Sequence, residues 1–190
     1  ERFLKSAREL GYPAASVQAG LEGLESLRGV ARDGLWRITV VRPAEGVPGA
    51  GFGGVFRAWR EAPPQAKALR LTTLWGYYFP GNWLAEHKTT SWLRSVEALR
   101  RARAAGFDEA LLLSPQGEVG EAAAANIFAF VDGAWVTPPI DGVLPGVVRR
   151  VVLEEARRSG EEISERPLMI AELERAEAMA LTSTGRLVTA

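Results

Sequence analysis

Asp132-Gly133 stands between two runs of strand-forming residues, Ile127 to Val131 and Ala134 to Thr137. A two-residue loop of this kind needs positive φ at both central positions, and Asp-Gly tolerates it, so an antiparallel hairpin is expected here. Leu35 to Val41 alternates like a half-buried strand, and residues 52–59 and 69–75 are further strand candidates. Glu109 to Leu113 reads as a strand before the turn Ser114-Pro115-Gln116-Gly117, and Glu177 to Thr182 as a strand ending in a polar turn. Helical spacing appears over residues 2–10 and 17–31. It appears again from about Ser91 to Ala105, with Trp92, Val96, Leu99 and Ala102 or Arg103 in phase and Gly106 as the stop. Pro145-Gly146 opens another helix, to about Ser159. Helices and strands are intermixed, so an α/β (α+β) chain in two lobes is expected. The boundaries implied are a small N-terminal domain over 1–76, a linker over 77–83 and a larger C-terminal domain over 84–190. Leu187 to Ala190 reads as a strand cut short, and Arg2 starts as if already inside a helix, so segments are expected beyond both ends.

Composition removes several classes of chemistry. Basic and acidic residues balance at 23 each, so nothing favours a nucleic-acid partner. There is no cysteine, and His87 is the single histidine. Thiolate nucleophiles, disulfides and multi-histidine metal sites are therefore excluded, and no metal is expected. No apolar run approaches the roughly 20 residues that span a bilayer, so no membrane partner is expected and a cytoplasmic location fits.

Four stretches carry chemistry, each with an ordinary alternative. Lys88, in Glu86-His87-Lys88-Thr89-Thr90-Ser91, lies among tryptophans whose apolar surroundings favour a neutral, nucleophilic amine. The alternative is a surface lysine at a helix start. Glu121 precedes four alanines and Asn126-Ile127-Phe128, which suits close approach to a flat group, or a small-residue turn under a helix. Leu144-Pro145-Gly146-Val147-Val148-Arg149 opens a helix whose amides at Val147 and Val148 are an anion site, as at many helix starts. Leu181-Thr182-Ser183-Thr184-Gly185 suits a phosphate, or is a plain polar turn.

In this order the four stretches resemble the class IV aminotransferases, the fold-type IV pyridoxal-phosphate enzymes. These include branched-chain aminotransferase, D-amino acid aminotransferase and 4-amino-4-deoxychorismate lyase. The resemblance implies a two-domain, D-amino acid aminotransferase-like fold with pyridoxal 5′-phosphate as cofactor. It makes Lys88 the Schiff-base lysine and catalytic residue, and Glu121 the acid that pairs with the pyridine nitrogen. Val147, Val148, Ser183, Thr184 and Arg2 become the phosphate ligands. Trp36 to Arg42 resembles the family's strand ending in Thr-Arg-Gly, with Pro43 in place of the glycine, and Ser91 stands where relatives often carry Asn. Ala122 to Asn126 and the approach Phe79 to Lys88 look like the lyase form. The implied reaction is conversion of 4-amino-4-deoxychorismate to 4-aminobenzoate and pyruvate, a step of folate biosynthesis. A branched-chain or D-amino acid aminotransferase and a non-catalytic binding domain of the same fold are the alternatives. Relatives are homodimers, and Trp75, Tyr77, Tyr78, Phe79 and Trp83 suit either an interface or a core.

Overall fold

The computed structural model describes residues 1–27, 34–41, 51–58, 68–184 and 186–189. The chain divides into two compact units, Glu1–Pro64 and Gln65–Ala190.

In the first unit, helix α1 (Arg2–Glu9) stops before Gly11, whose φ of 71° takes the chain out of the helix. Helix α2 (Ala14–Leu27) follows, and strands β1 (Gly34–Val41) and β2 (Gly51–Ala58) pair antiparallel from Gly34↔Ala58 to Val41↔Gly51. Ala7 and Val17 are buried. The Trp36 strand is thus β1, while Arg42 and Pro43 lie outside the described residues.

The second unit begins before residue 76, the expected boundary, because strand β3 (Leu71–Trp75) pairs with β4 (Glu109–Leu113). Their pairing is parallel, so the chain must cross over, and helix α3 (Leu93–Ala104) makes the crossing. Residues 77–83, expected as a linker, lie inside this unit. Tyr78 is only 1% exposed, with its ring where a Cβ on Gly120 would stand 2.5 Å away.

Strand β5 (Val119–Ala122) runs antiparallel to β4 and completes a three-stranded sheet, β3-β4-β5. Strand β6 (Asn126–Val131) and β7 (Ala134–Thr137) form the expected hairpin, with φ of 51° at Asp132 and 80° at Gly133. Helix α4 (Val147–Ser159) leads to β8 (Ile163–Glu165), parallel to β7. A one-turn helix, α5 (Ile170–Leu173), precedes β9 (Ala178–Ser183), which pairs with β6 and with β10 (Arg186–Thr189). The second sheet is therefore ordered β10-β9-β6-β7-β8.

β4 is buried on both faces. Leu111 and Leu113 join Ile127, Ala129, Val131 and Leu181 in one core. Ala110 and Leu112 pack with Tyr78, Val143 and the α3 residues Ala98 and Ala102 in the other. Of the α3 residues expected in phase, Leu99 and Ala102 face this core, whereas Trp92 and Val96 do not. Trp92 and Val96 are exposed, because the small faces of Ala98 and Ala102 let the helix lie close on the sheet. Among the described residues no helix is long and apolar enough to cross a membrane.

Candidate functional site

Glu121 sits on β5, opposite Leu112 of β4, with 9% of its surface exposed. Leu144 N–H donates to its Oε2 at 3.1 Å, and Asn126 Nδ2 approaches the same oxygen at 3.5 Å. Arg94 Nη2 lies 3.4 Å from Oε1. Burial pushes the carboxyl up to about 7, although the Leu144 N–H and the charges of Arg94 and Lys88 all favour its ionised form. Loss of hydration outweighs one hydrogen bond and two cations.

Lys88 is therefore within electrostatic reach of Glu121. It follows a single 3-10 turn, Trp83–Glu86, and the buried ring of His87, which meets Trp83 edge-on at 5.4 Å. α3 starts only at Leu93, so Lys88 lies outside the helix and its dipole does not oppose the charge. The side chain is exposed, which corrects the expectation of a desolvated amine. Nζ lies 5.4 Å from the centre of the Trp92 ring, a cation–π contact.

The segment leading to Lys88 is fastened to the loop leading into α4. Tyr78 OH donates to Asp141 O at 2.9 Å, and Gly81 N–H to Asp141 Oδ1 at 2.6 Å. Gly142, at φ 72°, comes so near Phe79 that a Cβ would stand 2.4 Å from its carbonyl oxygen. Only glycine suits such an approach.

At the start of α4, Gly146 is extended and offers no side-chain cap, so the amides of Val147 and Val148 point out of the helix end. Asn126 fixes this end in place. Its Nδ2 donates to Leu144 O at 2.9 Å, and a Cβ on Gly146 would fall 1.9 Å from its Oδ1. Arg149 does not face the anion site. It is buried and turned back, donating through Nη2 to Pro138 O at 2.7 Å and to Glu165 Oε2 at 2.9 Å.

Asn126 is also paired across the sheet with Thr182 of β9, so the two share a face. Thr182 Oγ1 is buried and has no hydrogen-bond partner among the described residues. A buried hydroxyl left so costs about 1–3 kcal/mol, which a polar occupant would relieve. Ser183 is half-buried and Thr184 exposed at the end of the same strand.

Of the residues expected from sequence, the start of α4 is tied through Asn126 to Glu121 and to the end of β9, and Lys88 is within electrostatic reach of Glu121. Arg2 belongs to the other unit, where burial lowers its pKa from the usual arginine value. Arg94 and Thr182 are not singled out by sequence. Thr182 lies within a quoted motif, while Arg94 reaches a residue far along the chain and leaves no local signal.

The family model for amino-transferase class IV matches residues 1–190. A proposed branched-chain-amino-acid aminotransferase of Methanocaldococcus jannaschii is 39% identical over 99 residues, 52% of this chain and 34% of that protein. The chain spans between 28% and 54% of the curated relatives it matches. A proposed 4-amino-4-deoxychorismate lyase of Legionella pneumophila superposes with a TM-score of 0.84 at 24% identity, covering 99% of this chain and 73% of that one. The T.th. branched-chain amino acid aminotransferase, solved with pyridoxamine 5′-phosphate, superposes at 0.69 with 27% identity, over 77% and 50% of the two chains.

Proposed function

This chain belongs to the class IV aminotransferases, whose cofactor is pyridoxal 5′-phosphate, and from that premise we propose that it is the greater part of a lyase acting on 4-amino-4-deoxychorismate. The observation that supports a catalytic reading is a buried acid, Glu121, braced by Leu144 N–H and Arg94 and within electrostatic reach of Lys88. A binding domain would need neither group.

The residues suit the cofactor. The partnerless Thr182 hydroxyl, the uncapped α4 amides and the hydroxyls of Ser183 and Thr184 are donors for a phosphate dianion. Glu121 is an acceptor for a ring N–H. When bound, pyridoxal 5′-phosphate supplies an electron sink that acidifies the proton on the amine-bearing carbon of the substrate. Lys88 Nζ is the amine that would hold the cofactor's aldehyde and, once freed, the base that would take that proton. Glu121 would keep a proton on the ring nitrogen. The protein's Trp92 ring flanks the lysine and bounds where its amine can swing.

Breaking the neighbouring ring C–O bond would then expel enolpyruvate and make the substrate ring aromatic, and the enolpyruvate would take up a proton at carbon to give pyruvate beside 4-aminobenzoate. The run Ala122 to Asn126 supports this reading through its lyase-like form. The 39% identical archaeal relative favours a second one, transfer of the amino group of a branched-chain amino acid. Full-length protein with 4-amino-4-deoxychorismate should give the fluorescence of 4-aminobenzoate. No fluorescence, with conversion of the cofactor to its amine form by branched-chain amino acids, would establish the second reading instead. In either case Lys88→Ala should abolish turnover and the visible absorbance of bound cofactor, and an unchanged spectrum would remove Lys88 from the site. A homodimer and a cytoplasmic location accompany this proposal.

A further inference from the structure

An ionised carboxylate offers about four lone-pair sites. Leu144 N–H and Asn126 Nδ2 occupy those of Glu121 Oε2, and Arg94 Nη2 faces Oε1, which leaves one site on Oε1 for a further donor. Arg94 lies in the first turn of α3, and its Nη1 donates to Tyr77 O at 3.0 Å. The guanidinium is thereby fixed to the backbone with its side chain 31% exposed. At 3.4 Å its contact with Oε1 is long for a charge-assisted hydrogen bond, so it works chiefly as a charge.

The other groups facing Glu121 do not replace it. Asn126 is neutral. Tyr78 is held neutral by burial, its pKa raised well above the usual phenol range, and its hydroxyl is turned to Asp141 O. Lys88 Nζ would be committed to the cofactor's aldehyde, which stands across the pyridine ring from the nitrogen that Glu121 would face.

We infer that Arg94 is a positioning residue for Glu121: anchored on the Tyr77 carbonyl, it favours the charged form of the carboxylate and leaves one lone pair of Oε1 open to the cofactor ring. This rests on the proposed role of Glu121. The carboxyl stands near the middle of the working pH range even with Arg94 present, so loss of this cation would carry it into the protonated form. A protonated acid would no longer accept from a ring N–H.

The test uses full-length wild type, Arg94→Gln, which keeps a donor for Tyr77 O without the charge, and Arg94→Lys, which restores the charge. Arg94→Met serves where the glutamine variant does not fold. In cofactor-free protein, the carboxyl carbon resonance of Glu121, identified by its loss in Glu121→Gln, is followed against pH. Its midpoint should rise by about one pH unit in Arg94→Gln and return in Arg94→Lys. The dissociation constant for pyridoxal 5′-phosphate should rise roughly tenfold at pH 6.5 in Arg94→Gln, and that gap should close at pH 9. An unchanged midpoint, or an equal loss of affinity at both pH values, would overturn the inference. A wild type that binds no pyridoxal 5′-phosphate would overturn the cofactor reading instead, while the resonance midpoint would still decide the role of Arg94.

Discussion

Once it ionises, a carboxylate sealed from water at position 121 works against the fold. Its folded value is about 7, above the ordinary 4.5, so between those limits the folded chain holds a proton that the unfolded chain has released. Stability from this group is fully present below the lower limit and is lost as pH rises through about 7, by ~3 kcal/mol. Glu121→Gln removes the titration. The cofactor-free variant should therefore gain stability relative to wild type between pH 5 and pH 8, read as the difference of their urea midpoints. Parallel pH profiles would show that the acid is better hydrated than its burial implies. Thr182→Val makes the complementary case. Its hydroxyl has no partner to lose, so the cofactor-free protein should be as stable as wild type or more so. Affinity for pyridoxal 5′-phosphate should fall roughly tenfold, the worth of one hydrogen bond to a charged group. A destabilised variant with unchanged affinity would place that hydroxyl in the fold and not in the site.

At the level of elements, the start of α4 is set by an asparagine on a neighbouring strand. Gly146→Ala would put a Cβ onto Asn126 Oδ1, and Asn126 also holds Leu144 O. Relieving that contact moves the helix end or the Glu121 brace. The substitution should cost about 1–3 kcal/mol in unfolding free energy and weaken cofactor binding with it. Wild-type behaviour on both counts would mean that Asn126 rotates away freely. These relations also mark what sequence can reveal. The hairpin at Asp132-Gly133, strand β4 and the Pro-Gly opening of α4 each follow from local backbone preference. Lys88 and Glu121 stand out by spacing among motifs. β5 does not, because its four residues become a strand only by pairing with β4. Strand β8, three residues long, and the single turn of α5 are likewise held by their neighbours. The periodicity finds Leu99 and Ala102 of α3 but misses Ala98, because alanine, not the larger Trp92 or Val96, marks a close-packed face.

For the molecule as a whole, the second unit leaves large apolar side chains in water. Leu93 is 79% exposed, and Val96, one turn on along the same face of α3, is 50% exposed. Trp75, Phe79 and Trp83 are about half exposed as well. Leu93 and Val96 together give this face of α3 an apolar surface suited to being covered. The proposed homodimer provides a cover of the right chemistry. Leu93 makes the discriminating probe, since a side chain so exposed contributes little to the folding of its own unit. Full-length wild type should sediment as a dimer at micromolar concentration, and Leu93→Asp should shift it toward monomer by burying an unpaired charge at the interface. The helical signal of the variant should be unchanged. A wild type that is monomeric at every concentration, with Leu93 protected from solvent, would show that the stripe is covered by another part of the same chain. In that case the aromatic residues before Lys88 would serve packing within one subunit, and the dimer would have no basis in this surface.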